Sequence, residues 1–302
     1  MEDSSNQTKP FNNVPNEAFL TFANNESNYN TLLINLVDSV HRFSKRHIIA
    51  YGVDIDLDLD IKKYPRLIIR RLNRTGCSHS IYFCKIYAII ESKLDYGIHL
   101  DADSLVNWNI DILFDVVHRW PYDYPLAPRH PTPQVNYMTF LKNFELELKD
   151  RTIPYVHAQF SWNYRVYPFF EKALDRMQGQ QFQGANFDES GINVLLWKAK
   201  ARHTLCKIDP YYSYVSDYVS QNKICRQYCP TAYFIFHGGK TEKQMRDTLD
   251  QLKNHTGLPY IQTNTEGFHY LNETKYTCCH PDSKPSSIHP LICEYPPRNT
   301  SY

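Results

Sequence analysis

Over its first hundred residues the chain alternates short apolar runs with longer amphipathic stretches, and this alternation restricts the possible architecture more than any other feature. AFLTFANN (18–25) reads as a short buried strand followed by a polar turn. In YNTLLINLVDSVHRF (29–43), Leu32, Leu33, Leu36, Val37, Val40 and Phe43 recur at helical spacing on one face. RHIIAYGVD (46–54) and YPRLIIRRL (64–72) read as strands, SIYFCKIYAIIESKL (80–94) as a helix and YGIHL (96–100) as a fourth strand. The order strand, helix, strand, strand, helix, strand predicts an α/β fold whose largely parallel sheet is covered on both faces. Helical patterns follow at 109–120, 167–177, 187–201 and 242–255, and strand patterns at 124–131, 153–163 and 231–239. The expected organisation is a flexible lead (1–17), one α/β domain (18–255) and an irregular tail (256–302) rich in Pro, Thr, Ser and Cys.

The chain has 302 residues, 42% of them hydrophobic, enough for a sizeable core. A formal net charge of +1 provides no concentrated positive field and argues against a nucleic-acid partner. The 14% aromatic content, 23 tyrosines included, is accounted for first by the core. No apolar run is long enough to span a bilayer, and MEDSSNQTKPFNNVPNE lacks the basic and apolar regions of a signal peptide. The expected compartment is therefore the cytoplasm, with the lumen of the endoplasmic reticulum or Golgi as the alternative. Asn6, Asn25, Asn73, Asn254, Asn272 and Asn299 each open an Asn-x-Ser/Thr triplet, and a chain rich in these residues is expected to produce such triplets by chance. The eight cysteines are read first as reduced thiols; disulfides, or a zinc site with His280 and His289, are the alternatives. The alternating aspartates of VDIDLDLDI (53–61) are read as a solvated edge, or as partners for Lys62, Lys63, Arg66, Arg70 and Arg71.

The fourth strand ends on Asp101-Ala102-Asp103. In open α/β sheets ligands bind beyond the carboxyl ends of the strands. Ala102 projects away, so the two carboxylates can reach one volume of space. Such oxygen ligands suit a hard cation, Mn²⁺ or Mg²⁺, that shares its coordination with substrate phosphates. Taken alone, Asp-x-Asp is a short motif, equally compatible with a loop or capping role.

The surrounding residues narrow the choice. HLDADSLVNWNIDILF (99–114) closely resembles the Asp-x-Asp segment of glycogenin and its relatives, a family of retaining glycosyltransferases with the GT-A fold. FLTFANNESNYNTLLINLVDSV (19–40) is similar to the family's first strand, nucleotide-gripping turn and helix, with one extra residue before Tyr29. The resemblance implies that Phe22, Asn24, Asn25 and Tyr29 contact base and ribose, with Ala102 lining the same site. FCKIYAII (83–90) resembles the helix whose lysine faces the donor, which implies Lys85. NFDESGINVLLW (186–197) resembles a helix start that carries Asp188 and Asn193, with Glu189 where the family has Gln. HGGKTEK (237–243) resembles the segment holding a third metal ligand, His237, and a phosphate-binding lysine, Lys243 or Lys240. Its glycines directly follow the histidine and no Pro-Trp follows the lysine. The family's Asn-x-Gly strand is replaced by YVHAQFSWN (155–163).

The resemblance thus implies a transferase using a nucleotide sugar, a UDP-hexose, with Mn²⁺ or Mg²⁺ and with retention of anomeric configuration. Asp188 and Glu189 are expected at the sugar, and the acceptor is a glycan, protein or lipid. The departures near the sugar keep open a second reading, a non-catalytic scaffold or partner of an active enzyme that keeps the fold, with or without nucleotide binding. A nucleotidyltransferase would carry a Gly- and Arg/Lys-rich loop after the first strand, which FANNESN does not provide.

Overall fold

A computed structural model of the chain describes residues 15–25, 28–77, 80–107, 110–129, 137–157, 159–178, 187–205, 234–254, 258–260, 269–271 and 284–295. Strands β1 (Glu17–Ala23), β2 (His47–Val53), β3 (Leu67–Leu72) and β4 (Tyr96–His99) lie parallel to their neighbours. Ser161–Asn163 pairs antiparallel with β4, giving a five-stranded sheet in the order β3, β2, β1, β4 and this last strand. Ala18, Phe19, Leu20 and Thr21 are all fully buried, as are Ile48, Ile49 and Ala50. Successive side chains of a strand point to opposite faces, so unbroken burial means that both faces are covered.

Helix α1 (Tyr29–Phe43) buries Leu32, Leu33, Leu36, Val37 and Val40, the stripe expected from spacing. It also buries Ser39, whose Oγ accepts a 3.0 Å hydrogen bond from the Val106 N–H and so fixes the short strand β5 (Leu105–Val106). The predicted helix at 80–94 divides into a single 3₁₀ turn (Ile81–Phe83) and α2 (Cys84–Ser92). Helices α3 (Ile112–Arg119), α4 (Tyr137–Asn143), α5 (Tyr167–Gln178), α6 (Phe187–Lys198) and α7 (Glu242–Lys253) follow. In chain order the antiparallel strand Ser161–Asn163 is β6, followed by β7 (His203–Leu205) and β8 (Ile235–Phe236). In place of the strand expected over 124–131, residues 124–129 form only isolated bridges at Leu126, Pro128 and Arg129; 130 and 131 lie outside the described residues. Of the stretch expected to pack irregularly, β9 (Leu258–Tyr260) pairs with β10 (His269–Leu271), and β11 (Lys284–Pro285) pairs with β12 (Ile292–Glu294). β12 also pairs with β7; strands of two or three residues are too short to show a period in sequence. Residues 1–14 of the lead lie outside the described residues. Among the described residues no helix is long and apolar enough to cross a membrane.

The acidic run 53–61 behaves as a solvated edge: Asp56 pairs with Arg71 at 3.3 Å on the surface, and Asp60 accepts from the Lys62 and Lys63 N–H groups.

The expectation of reduced thiols is corrected at Cys77 and Cys84, which form a disulfide, and Cys293 is disulfide-bonded as well. Sequence spacing does not decide between a buried thiol and a bridge; the fold does, by bringing the turn after β3 against the start of α2. Cys225, Cys229, Cys278, Cys279 and His280 lie outside the described residues. With a separation of 7 residues, the loss of the bridge through Cys77→Ser is expected to cost about 2–3 kcal/mol by the loop-entropy relation. Chemical denaturation of the oxidised protein and the variant measures that difference.

His41 supports the start of β3. Its Nδ1 donates to the Val37 carbonyl at 2.9 Å and its Nε2 accepts the Arg66 N–H at 3.1 Å, so the ring is needed neutral. Burial, the largest influence, holds its pKa below the ordinary histidine value of 6.5. An unfolded chain then takes up the proton first. The stability from His41 is present above pH 6.5 and is lost as pH falls through the lower folded value. The melting temperature is expected to fall on acidification from about pH 7 to pH 5, less steeply in His41→Gln. A slope unchanged by the substitution would contradict this assignment.

Candidate active site

The site is assembled at the carboxyl end of β4. The Leu100 N–H bonds to the Leu20 carbonyl at 2.9 Å, extending the sheet to the brink of Asp101, and the Ser104 N–H closes a turn onto the Asp101 carbonyl at 3.0 Å. The chain then enters β5, which pairs antiparallel with β8 through Leu105–Phe236 and Val106–Ile235. This two-stranded ribbon delivers His237 to the acidic turn. Gly238 adopts a left-handed φ of 85° immediately after it. The Gly239 N–H then bonds to the Asp103 carbonyl at 3.0 Å; a Cβ on Gly239 would stand 2.5 Å from Met245. The direct His-Gly-Gly sequence is thus a requirement of the turn.

Asp101, Asp103 and His237 each offer a ligand atom, and these atoms lie within 4.8 Å of one another. His237 Nε2 is 3.6 Å from Asp101 Oδ2. Asp103 Oδ1 is buried and accepts no hydrogen bond. A buried carboxylate oxygen without a donor is costly, and a cation is the natural partner for it. Two carboxylates and an imidazole therefore fit a divalent ion, and the two aspartates suit Mn²⁺ or Mg²⁺.

Burial is the largest influence on each acid here and raises both. At Asp101 it is outweighed by Lys85, His99 and His237, which hold the carboxyl well below its usual range. At Asp103 burial prevails; although His237 opposes it, Asp101 adds to it, and the carboxyl is pushed up to about 6.

Lys85 leaves the first turn of α2 and is itself nearly buried. Its Nζ lies 2.9 Å from Asp101 Oδ1 and 3.3 Å from Asp188 Oδ2, so one ammonium joins two elements. Burial works to lower its pKa, but Asp101 and Asp188 together raise it above the ordinary value, and the group stays charged. Asp188 and Glu189, at the start of α6, are both buried. Burial raises the Asp188 carboxyl against the pull of Lys85.

The expected nucleotide residues are distributed around this centre. Tyr29 is 42% exposed at the start of α1. Its phenol is pushed up to about 12, by burial first and then by the charges of Asp103 and Asp101. Phe22, next to last in β1, lies near His99, with ring centroids 6.1 Å apart. Asn24 and Ala102 are buried, and Asn25 is exposed in the turn that follows β1. Lys240 is exposed, and its carbonyl accepts a 3.0 Å bond from Asn28 Nδ2, which ties its backbone to the α1 entry. Lys243 is directed along α7, where its Nζ pairs with Asp247 at 2.5 Å. Asn193 does not offer its amide to a ligand. Its Oδ1 accepts from the Val156 N–H, and its Nδ2 donates to the Val156 and Glu189 carbonyls, at 2.8, 2.8 and 2.9 Å. It clamps the 155–157 segment to α6.

That clamp positions a residue the sequence reading did not single out. His157 Nδ1 stands 3.6 Å from Glu189 Oε1, and its ring meets that of His237 edge to face at 5.2 Å. His99, fully buried with Nδ1 3.9 Å from Asp101 Oδ1, was likewise read only as a strand end. Burial and then Lys85 push its pKa down to about 3, so it stands beside the acids as a neutral ring. Neither position carries a spacing signal, because each lies on an extended segment whose neighbours come from remote parts of the chain.

The mixed, mostly parallel sheet with flanking helices is the GT-A fold. It is shared with mouse xyloside xylosyltransferase 1 in its apo form, at 13% identity and a TM-score of 0.51, covering 75% of this chain and 99% of that one. It is shared also with the apo form of the glycosyltransferase GlyE of Streptococcus pneumoniae TIGR4, at 12% identity and a TM-score of 0.51, covering 79% of this chain and 62% of that one. The sequence itself matches no family model and no curated protein.

Proposed function

We propose that the chain is a cation-dependent glycosyltransferase of the glycogenin-like group, moving a hexose from a UDP-linked donor to a glycan, protein or lipid acceptor with retention. The observation that carries this reading is the juxtaposition of the Asp101–Asp103–His237 cluster with Lys85 and the buried Asp188–Glu189 pair. Asp101, Asp103 and His237 would hold Mn²⁺ or Mg²⁺. Bound there, the ion would offset the negative charge that develops on a departing diphosphate.

The protein's own groups divide between the two ends of the breaking bond. Lys85 remains charged and is placed to share in stabilising the diphosphate, moving from Asp101 as the donor arrives. Asp188 and Glu189 stand behind it to bind sugar hydroxyls and to stabilise positive charge at the anomeric carbon. His157 orients Glu189. Tyr29 supplies an aromatic face at the entrance for the base, with Phe22 and Asn24 beneath it. Burial of Lys85, Asp188, Glu189 and His157 excludes water, which strengthens the charge interactions at the centre.

A second reading has one specific observation in its favour: Lys85 is already paired with both Asp101 and Asp188. A scaffold protein could keep that arrangement and bind nucleotide without turnover. Thermal shift with UDP, UDP-glucose, UDP-galactose and UDP-xylose, each with and without Mn²⁺, followed by assay of UDP release, separates the two. A ligand at a hundredfold excess over its dissociation constant stabilises by about 2.7 kcal/mol. Mn²⁺-dependent binding together with UDP release supports the transferase. Binding without release supports the scaffold, and no binding at all removes the transferase and leaves a scaffold that does not use nucleotide.

A further inference from the structure

We propose that Asn73 carries an N-linked oligosaccharide and that the chain folds in the oxidising lumen of the secretory pathway. Two independent observations point there. The first is the buried Cys77–Cys84 disulfide, joined by a disulfide at Cys293. Structural bridges of this kind persist in oxidising compartments and are rare where thiols are kept reduced. The second is the placement of the triplet Asn73-Arg74-Thr75, four residues before Cys77. Asn73 and Thr75 are both exposed on the turn that leaves β3. Asn73 Oδ1 accepts from the Thr75 N–H at 2.9 Å and from Thr75 Oγ1 at 2.8 Å. The turn therefore uses the carbonyl end of the amide and leaves Nδ2 to solvent.

The expectation that composition alone accounts for the triplets is revised: the chain has six, where its own Asn, Ser and Thr content would produce about two or three by chance. The location also has a physical use. β3 is the outer strand of the five-stranded sheet, and a glycan at its end would hinder pairing with another chain. The donor class is an oligosaccharide on a polyprenyl diphosphate. A bond forms between Asn73 Nδ2 and the anomeric carbon while the bond from that carbon to the diphosphate oxygen breaks. The carrier diphosphate leaves with the electron pair, and the amide gives up one proton to a base of the transferring enzyme.

The inference does not rest on the proposed transferase activity, and its test does not read that activity. The full chain is expressed in a eukaryotic host in two forms, directed into the secretory pathway by a cleavable leader and retained in the cytosol. In the secreted form, digestion with peptide N-glycosidase is expected to convert Asn73 to Asp in the peptide that contains it. Asn73→Gln and Thr75→Ala should each abolish that modification in protein that is still folded and secreted. Once denatured, the cytosolic form should be alkylated at Cys77 and Cys84 without prior reduction, and in its folded state it should melt at a lower temperature than the secreted form. An unmodified Asn73 in folded, secreted protein overturns the site. A cytosolic form with free thiols that is as stable as the oxidised one overturns the compartment.

Discussion

Asp103→Asn is expected to lower cation-dependent release of UDP by about 10²–10³-fold, the usual cost of removing one preorganised stabiliser of transition-state charge, or about 3–4 kcal/mol. The substitution keeps the shape of the side chain and removes its charge. In the cation-free protein that charge is a liability, because Asp101 lies close by and Asp103 Oδ1 is buried without a donor. The variant should therefore fold at least as well as the natural chain, with a melting temperature equal or higher in the presence of a chelator. It should also lose the stabilisation that Mn²⁺ gives the natural chain. This combination distinguishes a ligand from a structural carboxylate: a structural Asp103 would lose stability first and activity only as a consequence. Undiminished Mn²⁺-dependent turnover in Asp103→Asn would falsify the assignment.

Lys85→Met is expected to have the largest effect on stability. The natural ammonium reaches Asp101 at 2.9 Å and Asp188 at 3.3 Å from a nearly buried position. Methionine fills the space but leaves two carboxylates facing each other. Removing one partner of a buried pair typically costs about 3–5 kcal/mol, since the remaining charge is uncompensated. The melting temperature should fall by roughly 10 °C in a domain of this size. Mn²⁺ should then stabilise the variant by more than it stabilises the natural chain, because the ion supplies to Asp101 the charge that Lys85 no longer does. Thermal melts of both proteins with and without Mn²⁺ make the comparison; equal Mn²⁺ shifts would show that Lys85 and the ion do not share Asp101.

The parts of the site legible in sequence are those held by local structure. Asp101 and Asp103 were visible because a strand pattern stops on them. Lys85, Asp188 and Glu189 were visible through the resemblance of the segments 83–90 and 186–197 to the glycogenin-like family. The Asn193 amide, expected at the nucleotide, is hydrogen-bonded to Val156, a partner 37 positions away that no spacing reveals. Lys243 has the composition of a phosphate ligand, but an aspartate one helical turn further on takes its charge. His99 and His157 were passed over because a histidine in an extended segment carries no periodic signature.

Sequence alone determined the alternation of strands and helices, the covered parallel sheet and the acidic turn at its edge. These follow from side-chain periodicity and from the rule that a buried backbone must satisfy its own hydrogen bonds. Only the tertiary structure decided that β5 pairs with β8 and so brings His237 to Asp103, that Lys85 spans two aspartates, and that Cys77 meets Cys84. Each of these joins segments whose approach is set by packing of the core, and local spacing holds no record of it.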